Sequence, residues 1–147
     1  MKYNLATIED TKNFALKLGN NIPRPPIIGL IGPLGCGKTT LTRYLLDILK
    51  NQRPVTSPTF VWLKTYRIKH SKYQNLHHLD CYRLAKIDPE LAATLHMCQH
   101  DKQAITIIEW ADKVMTYLAP KATLIRFKIT GIDSREITVA NIKTALS

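Results

Sequence analysis

The sequence predicts a single α/β domain with a mixed, mostly parallel sheet flanked by helices. Three observations carry this. Pro26 to Ile31 and Ala104 to Ile108 are short, nearly continuous apolar runs, the pattern of strands buried on both faces of a parallel sheet. Segments around Thr7 to Ile22 and Thr39 to Leu49 place their apolar residues at three- and four-residue steps, as helices covering such a sheet do. The third is length: 147 residues without an internal repeat or long linker make one domain with one core.

Taken in order, Thr7 can cap a first helix with Glu9 and Asp10 in its positive first turn, and Ile8, Thr11, Ala15, Leu18 and Ile22 follow on one stripe until Gly19 to Pro23 ends it. The run Pro26 to Ile31 is then a core strand, Gly32 to Lys38 a loop, and Thr39 to Leu49 a second helix. Thr59 to Tyr66 and Tyr73 to Asp80 form an antiparallel hairpin around a basic turn at His70-Ser71. Asp88 caps a helix over Pro89 to Cys98, with proline at its first position. After the strand Ala104 to Ile108 come a short helix, Asp112 to Leu118, and two alternating runs, Leu124 to Thr130 and Arg135 to Val139.

Composition narrows the class further. Apolar residues make up 45% and charged residues 22%, which excludes a disordered or low-complexity chain. No segment approaches the roughly 20 apolar residues that span a bilayer, so no membrane partner is expected. Met1 to Phe14 lacks the apolar run of a secretory signal. Cys36, Cys81 and Cys98 are far apart, with no C-x-x-C spacing, so neither a disulfide framework nor a thiolate zinc site is indicated, and a reducing cytoplasm is the expected location.

Gly32-Pro33-Leu34-Gly35-Cys36-Gly37-Lys38-Thr39 matches G-x-x-x-x-G-K-[ST] in full, between a predicted strand and a predicted helix. In that setting glycines such as Gly35 and Gly37 let successive backbone N–H groups converge on phosphate oxygens at a helix start. Lys38 then lies across the β- and γ-phosphates of a nucleotide, and the Thr39 hydroxyl ligates Mg²⁺. Pro33 removes one donor, but from the outer half of the loop. Cys36, near a helix start and Lys38, is expected to be readily alkylated and shielded by nucleotide, with an inert small residue as the alternative.

Such a loop needs a carboxylate near the metal, at the carboxyl end of a core strand. Glu109 follows the strand Ala104 to Ile108, and Asp80 ends the run from Tyr73; both are candidates for the metal shell, and Glu109 also for orienting the attacking water. Arg83 could instead pair with Asp80 structurally. A transition-metal cluster of His77, His78, Asp80 and Cys81 is disfavoured, because adjacent strand residues point to opposite faces. Ser57-Pro58-Thr59-Phe60 places two hydroxyls on a rigid turn and could sense a γ-phosphate, as switch loops do.

Gly32 to Thr40, Ser57 to Phe60, His78-Leu79-Asp80-Cys81-Tyr82-Arg83-Leu84 and Ile108-Glu109-Trp110 together resemble the TsaE family, the small bacterial ATPases required for threonylcarbamoyladenosine in tRNA. The resemblance covers roughly Thr11 to Arg135 and implies a P-loop NTPase-like α/β fold. It also implies that the loop through Thr40 holds ATP, that Thr39, Asp80 and Glu109 bind Mg²⁺, and that Lys38, Asp80 and Glu109 serve hydrolysis. Thr59 would belong to a switch, Trp110 would lie beside the nucleotide, and the segment near Thr11 would approach the base. Its implied partners are the TsaD and TsaB proteins, with tRNA reached within their complex. Three departures stand out: Pro33 where the family usually has an acidic residue, Cys36 where it usually has alanine, and Leu91 to Asp101 without the usual acidic, glycine-containing stretch.

The net charge is +10, from 21 Lys and Arg against 11 Asp and Glu. No acidic residue falls between Asp47 and Asp80, whereas Lys50, Arg53, Lys64, Arg67, Lys69 and Lys72 do. A polyanion, either tRNA or an acidic partner surface, is the natural ligand for that region, with Trp62, Tyr66 and Tyr73 available to stack; a merely solvated basic hairpin is the simpler alternative. Two competing functions remain at this level: a small P-loop kinase, which would need an arginine-rich lid that is not evident, and a nucleic-acid module with a vestigial nucleotide site.

Overall fold

The computed structural model describes residues 1–50, 54–56 and 62–141, the middle segment by its backbone. In chain order the elements are β1 (Lys2–Leu5), α1 (Ile8–Asn20), β2 (Ile27–Ile31), α2 (Lys38–Ile48), β3 (Pro54–Thr56), β4 (Leu63–Arg67), β5 (Asn75–Asp80), α3 (Pro89–His100), β6 (Ala104–Glu109), a 3₁₀ helix (Ala111–Tyr117), β7 (Thr123–Ile129) and β8 (Arg135–Asn141). Among the described residues eight strands join one sheet in the order β1-β8-β7-β2-β6-β5-β4-β3. The centre, β7-β2-β6-β5, is parallel, and both margins are antiparallel. This is the mixed α/β sheet that the apolar runs and the hairpin pattern predict.

The two apolar runs take the centre because their sequence leaves no polar face to show to water. Every residue of β6 is buried, as are Ile27 to Leu30 of β2. Side chains alternate between the two faces, and the alternation sorts the core into two clusters. Ile105 and Ile107 of β6 join Leu76 of β5 beneath α1 and α2, with Phe14, Leu41 and Leu45. Ile108 and Leu79 join Leu91 and Leu95 of α3 and Val114 of the 3₁₀ helix on the other face. Even the buried Thr106 obeys the rule, donating its hydroxyl proton to the Cys98 carbonyl at the end of α3, 2.8 Å away.

Local signals at the helix ends behave as the sequence suggests. Thr7 caps α1: its hydroxyl accepts from the Asp10 amide, and the Asp10 carboxylate accepts from the Thr7 amide in return. Asp88 caps α3 by accepting from the Leu91 amide at 2.8 Å. Some boundaries differ. Helix α3 runs on to His100, α2 begins at Lys38, and Asp112 to Leu118 is a 3₁₀ helix over Ala111–Tyr117, interrupted at Val114. The hairpin is β4 with β5, Leu63 opposite Leu79 and Arg67 opposite Asn75; Thr59 to Val61 lie outside the described residues. Strand β1 was not expected: it is four residues long at the sheet margin with only Leu5 buried, so its pattern is too short to stand out.

His77 and Asp101 fasten β5 to the end of α3. The His77 ring bridges Thr65 Oγ1 through Nδ1 and Asp101 Oδ2 through Nε2, each at 2.8 Å. Burial pushes the Asp101 carboxyl up, but the hydrogen bonds from His77 and the Gln103 amide outweigh it and hold its pKa below the ordinary value. A carboxylate depressed on folding contributes stability above its unfolded pKa, about 3.9, and loses it as pH falls through the lower folded value. Urea midpoints should therefore fall more steeply below about pH 4 in the wild type than in Asp101→Asn; parallel profiles would contradict the tie.

Candidate functional site

Of the predicted site residues, Gly35, Gly37, Lys38, Thr39, Thr40, Asp80, Glu109 and Trp110 gather where β2, β5 and β6 end, at the carboxyl edge of the parallel strands. Between β2 and α2 the chain must turn sharply, and two glycines make that possible. Gly37 caps α2 at φ 107°, a left-handed conformation that glycine tolerates best, and supplies no side chain to the first helical amides. At Gly32 a Cβ would come within 2.7 Å of Cys36 Sγ and 2.9 Å of Phe127 Cβ, so the loop can close against β7 only without a side chain there. The Cys36 amide donates to the Pro33 carbonyl, and the Arg135 guanidinium donates to the Gly35 carbonyl, fixing the loop from both sides.

Lys38 is 5% exposed, yet its ammonium is well partnered. It donates to the Gly32 carbonyl at 2.7 Å and the Pro33 carbonyl at 3.0 Å, touches Cys36 Sγ at 3.5 Å, and lies 4.1 Å from the centre of the Trp110 ring. Pro33, which forfeits a donor, thus contributes an acceptor. Trp110 holds its position through a left-handed backbone, φ 57°, directly after β6, and it packs against Tyr82 with ring centres 5.0 Å apart. Lys113 approaches both rings and donates to the Tyr82 carbonyl.

Strand alternation delivers the carboxylates. Glu109 continues the parity of Ile105 and Ile107, so it points to the α2 side, where its Oε2 accepts from the Thr39 hydroxyl at 3.0 Å. Asp80 is its cross-strand partner on β5. It is exposed, and its Oδ1 accepts from the Tyr82 amide at 3.0 Å. No ion pair joins Asp80 to Arg83 among the described residues. The same parity turns His78 toward the site and His77 away from it. His78 Nε2 lies 2.8 Å from Glu109 Oε1, so the buried carboxylate, with the residue only 2% exposed, is held at both oxygens.

Lys38, Thr39, Thr40, Asp80, Glu109 and Trp110 line one cleft of about 220 Å³ together with Gly35 and Gly37. A larger cleft, about 540 Å³, opens on the other side of the loop, where Thr11, Cys36, Phe127 and Arg135 face each other and Gly35, Gly37 and Thr40 are shared with the first. Thr11 is therefore separated from Asp80 and Glu109 by the loop itself. Thr59 lies outside the described residues. Among the described residues no three His, Cys, Asp or Glu side chains form a metal cluster, in keeping with the opposite orientations of His77 and His78.

Sequence reasoning missed His78 as a partner of Glu109, although the signal was present: in a parallel pair, a residue two before Asp80 shares its face. It also overestimated Cys36. The thiol is 1% exposed, packed between Gly32 and the Lys38 ammonium, which removes the expectation of ready alkylation. Cys81 and Cys98 are buried as well, and burial pushes both thiols up to about 12.

Fold and site together define a glycine-loop α/β domain whose loop, helix start and strand-end carboxylates converge on one edge. Comparison with known proteins agrees: the profile of "Threonylcarbamoyl adenosine biosynthesis protein TsaE" matches residues 5–137, and the chain belongs to the TsaE family. Similar proteins include the tRNA threonylcarbamoyladenosine biosynthesis protein TsaE of Treponema pallidum, 30% identical over 132 residues that cover 90% of this chain and 94% of that one. The Bacillus subtilis TsaE is 32% identical over 139 residues, covering 94% and 84%. The crystal structure of Bacillus subtilis YdiB superposes with a TM-score of 0.69 at 26% identity, covering 99% of this chain and 87% of that one.

Removing the His78 ring leaves Glu109 Oε1 buried without its donor. Denaturant titration of His78→Ala should show a loss of about 1–3 kcal/mol, and His78→Gln, whose amide can donate from nearly the Nε2 position, should recover most of it. Equal losses in the two variants would contradict the contact. In thiol titration with a bulky disulfide reagent, all three cysteines should react only as the protein unfolds, and a thiol that reacts fast in the native protein would contradict the burial described.

Proposed function

We propose that the chain is a Mg-dependent, cytoplasmic ATPase that supports tRNA threonylcarbamoyladenosine formation by working with the TsaD and TsaB proteins. One observation carries the reading: Lys38, Thr39, Asp80 and Glu109 line a single cleft at a helix start, with the Thr39 hydroxyl hydrogen-bonded to Glu109. The residues fit a magnesium nucleotide. The donor set is hard oxygen throughout, with the Thr39 hydroxyl and the Asp80 and Glu109 carboxylates able to hold the ion directly or through water, and the loop and the uncapped start of α2 present amides to phosphate. Bound magnesium supplies neutralisation of phosphate charge.

The chain's own groups do the rest. The Lys38 ammonium, now donating to the Gly32 and Pro33 carbonyls, exchanges those acceptors for β- and γ-phosphate oxygens. Glu109, fixed by Thr39 and His78, keeps its carboxylate in one orientation from which it aligns and polarises the water that attacks the γ-phosphate. Trp110 and Tyr82 wall the cleft beside Lys38 and limit water access. The larger cleft by Thr11 is of a size to take the nucleoside half of ATP. The Ser57 to Phe60 segment would sense the γ-phosphate, and turnover would be slow until the partner proteins bind.

The test is ATP hydrolysis and calorimetric ATP binding with Mg²⁺, for the chain alone and with the TsaD and TsaB proteins plus tRNA. Lys38→Ala should lose nucleotide binding by about 100-fold or more. Glu109→Gln should bind ATP within a few-fold of wild type while turnover falls by about 100-fold or more. Wild-type turnover in Glu109→Gln would remove its role, and no nucleotide binding by folded wild-type protein would remove the proposal.

A further inference from the structure

The excess positive charge is not spread evenly over the fold. The eleven Asp and Glu all fall within the described residues, so each can be placed. Most sit at or near the carboxyl edge of the parallel strands or in the first turns of α1 and α3, which start there. Only Asp47, at the end of α2, and Asp101, at the end of α3, lie toward the opposite edge, and Asp101 is engaged by His77. At that opposite edge, where the parallel strands begin, the connections are crowded with cations.

Hydrogen bonds and a cleft show that these connections are neighbours. Arg24, His70 and Lys72 line one cleft of about 460 Å³ with Asn20 and Asn21 from the end of α1. The Lys69 amide donates to the Leu49 carbonyl, which brings Lys50 alongside Lys69. The Gln74 and Asn75 amides both donate to the Gln103 carbonyl, which brings Lys102 beside the end of the hairpin. Arg67 is at the same end of β4, opposite Asn75. None of Arg24, Lys50, Arg67, Lys69, Lys72 and Lys102 forms an ion pair among the described residues. Their fields therefore add, over an edge that a folded polyanion could cover.

We propose that this edge, opposite the nucleotide cleft, is a docking surface for the phosphate backbone of a folded RNA. The choice of RNA over an acidic protein follows from what the edge contains. Protein interfaces concentrate aromatic and apolar anchors and are poor in lysine. Here lysine dominates; of the exposed apolar side chains among the described residues, Ile8, Leu34, Tyr82 and Ile132 are at the other edge, and the flexible side chains of Met1 and Met97 lie nearer this one. Base stacking is not part of the surface: Tyr73, a stacking candidate in the sequence, is 5% exposed beneath His70, and Tyr66 is half-buried. Contact with phosphates alone gives binding that depends on salt and shape and little on sequence. The choice of a transfer RNA as probe rests on the proposed pathway; the surface itself does not depend on ATP binding.

The experiment is fluorescence anisotropy of a labelled, unmodified tRNA transcript titrated with the full chain at several salt concentrations. The triple variant Arg67→Gln, Lys69→Gln, Lys72→Gln should lose about tenfold or more in affinity and about 2–3 units of the log–log salt slope, about one unit per phosphate contact removed. Lys128→Gln, at the nucleotide edge, should leave affinity and slope unchanged. Lys38→Ala, and wild type saturated with Mg-nucleotide, should bind tRNA as free wild type does, so a failed ATPase reading leaves this measurement readable. An unchanged salt slope in the triple variant overturns the proposal. So does a triple variant that keeps tRNA binding but no longer assembles with the TsaD and TsaB proteins, which would assign the edge to a protein partner.

Discussion

The adjacency of β2 and β6 is the constraint on which the site depends. A loop that leaves the carboxyl end of one buried parallel strand meets a carboxylate at the end of the next only if the two strands are neighbours in register, and here Leu30 stands opposite Glu109. The Thr39–Glu109 hydrogen bond records the outcome. A one-residue slip of β6 would turn Glu109 into the α3 face among Leu79, Leu91 and Leu95, an apolar environment that a carboxylate avoids at a cost of several kcal/mol. Register at the centre of the sheet is thus enforced by the charged residue, because the isoleucines of β6 bury equally well on either face.

The same alternation explains why two adjacent histidines have unrelated duties. His77 faces α3 and ties it to β4 and β5 through Asp101 and Thr65; His78 faces α2 and steadies Glu109. Neither pairing needs the other, and neither histidine can join a shared metal site. A buried carboxylate held at both oxygens keeps a single orientation without further packing, which is what the role proposed for Glu109 would require.

Much of this was legible in the sequence because the informative residues are local. The apolar runs specify the central strands, Thr7 and Asp88 mark their helix starts by chemistry confined to a few positions, and the glycine loop carries its own spacing. What escaped depends on partners far apart in the chain. The burial of Cys36 comes from Gly32 and Phe127, the acceptors of Lys38 from backbone carbonyls that any sequence possesses, and the margin strand β1 from pairing with residues 135–138. The grouping of cations needed the topology as well: Arg24, Lys50, Lys72 and Lys102 are dispersed in sequence and meet only because strand starts and helix ends share one edge.

That last point bears on how the two edges relate. Helices α1, α2 and α3 all run from the carboxyl edge of the parallel strands to the opposite one, so their positive ends lie at the edge that carries the glycine loop and their negative ends at the cationic edge. The dipole of α2, whose first turn carries no acidic residue, therefore adds to the anion attraction of Lys38 at the cleft, and the cations at the far edge sit where helix carbonyls stabilise them. Lys38 fits the same economy of charge. Its ammonium is satisfied by the Gly32 and Pro33 carbonyls and the Trp110 face, so a phosphate bound as proposed would exchange one set of partners for another and gain only the difference between them. Under the proposed function, selectivity for a triphosphate over a lone phosphate would come from the contacts along the loop and into the Thr11 cleft, because the lysine alone offers too small a margin.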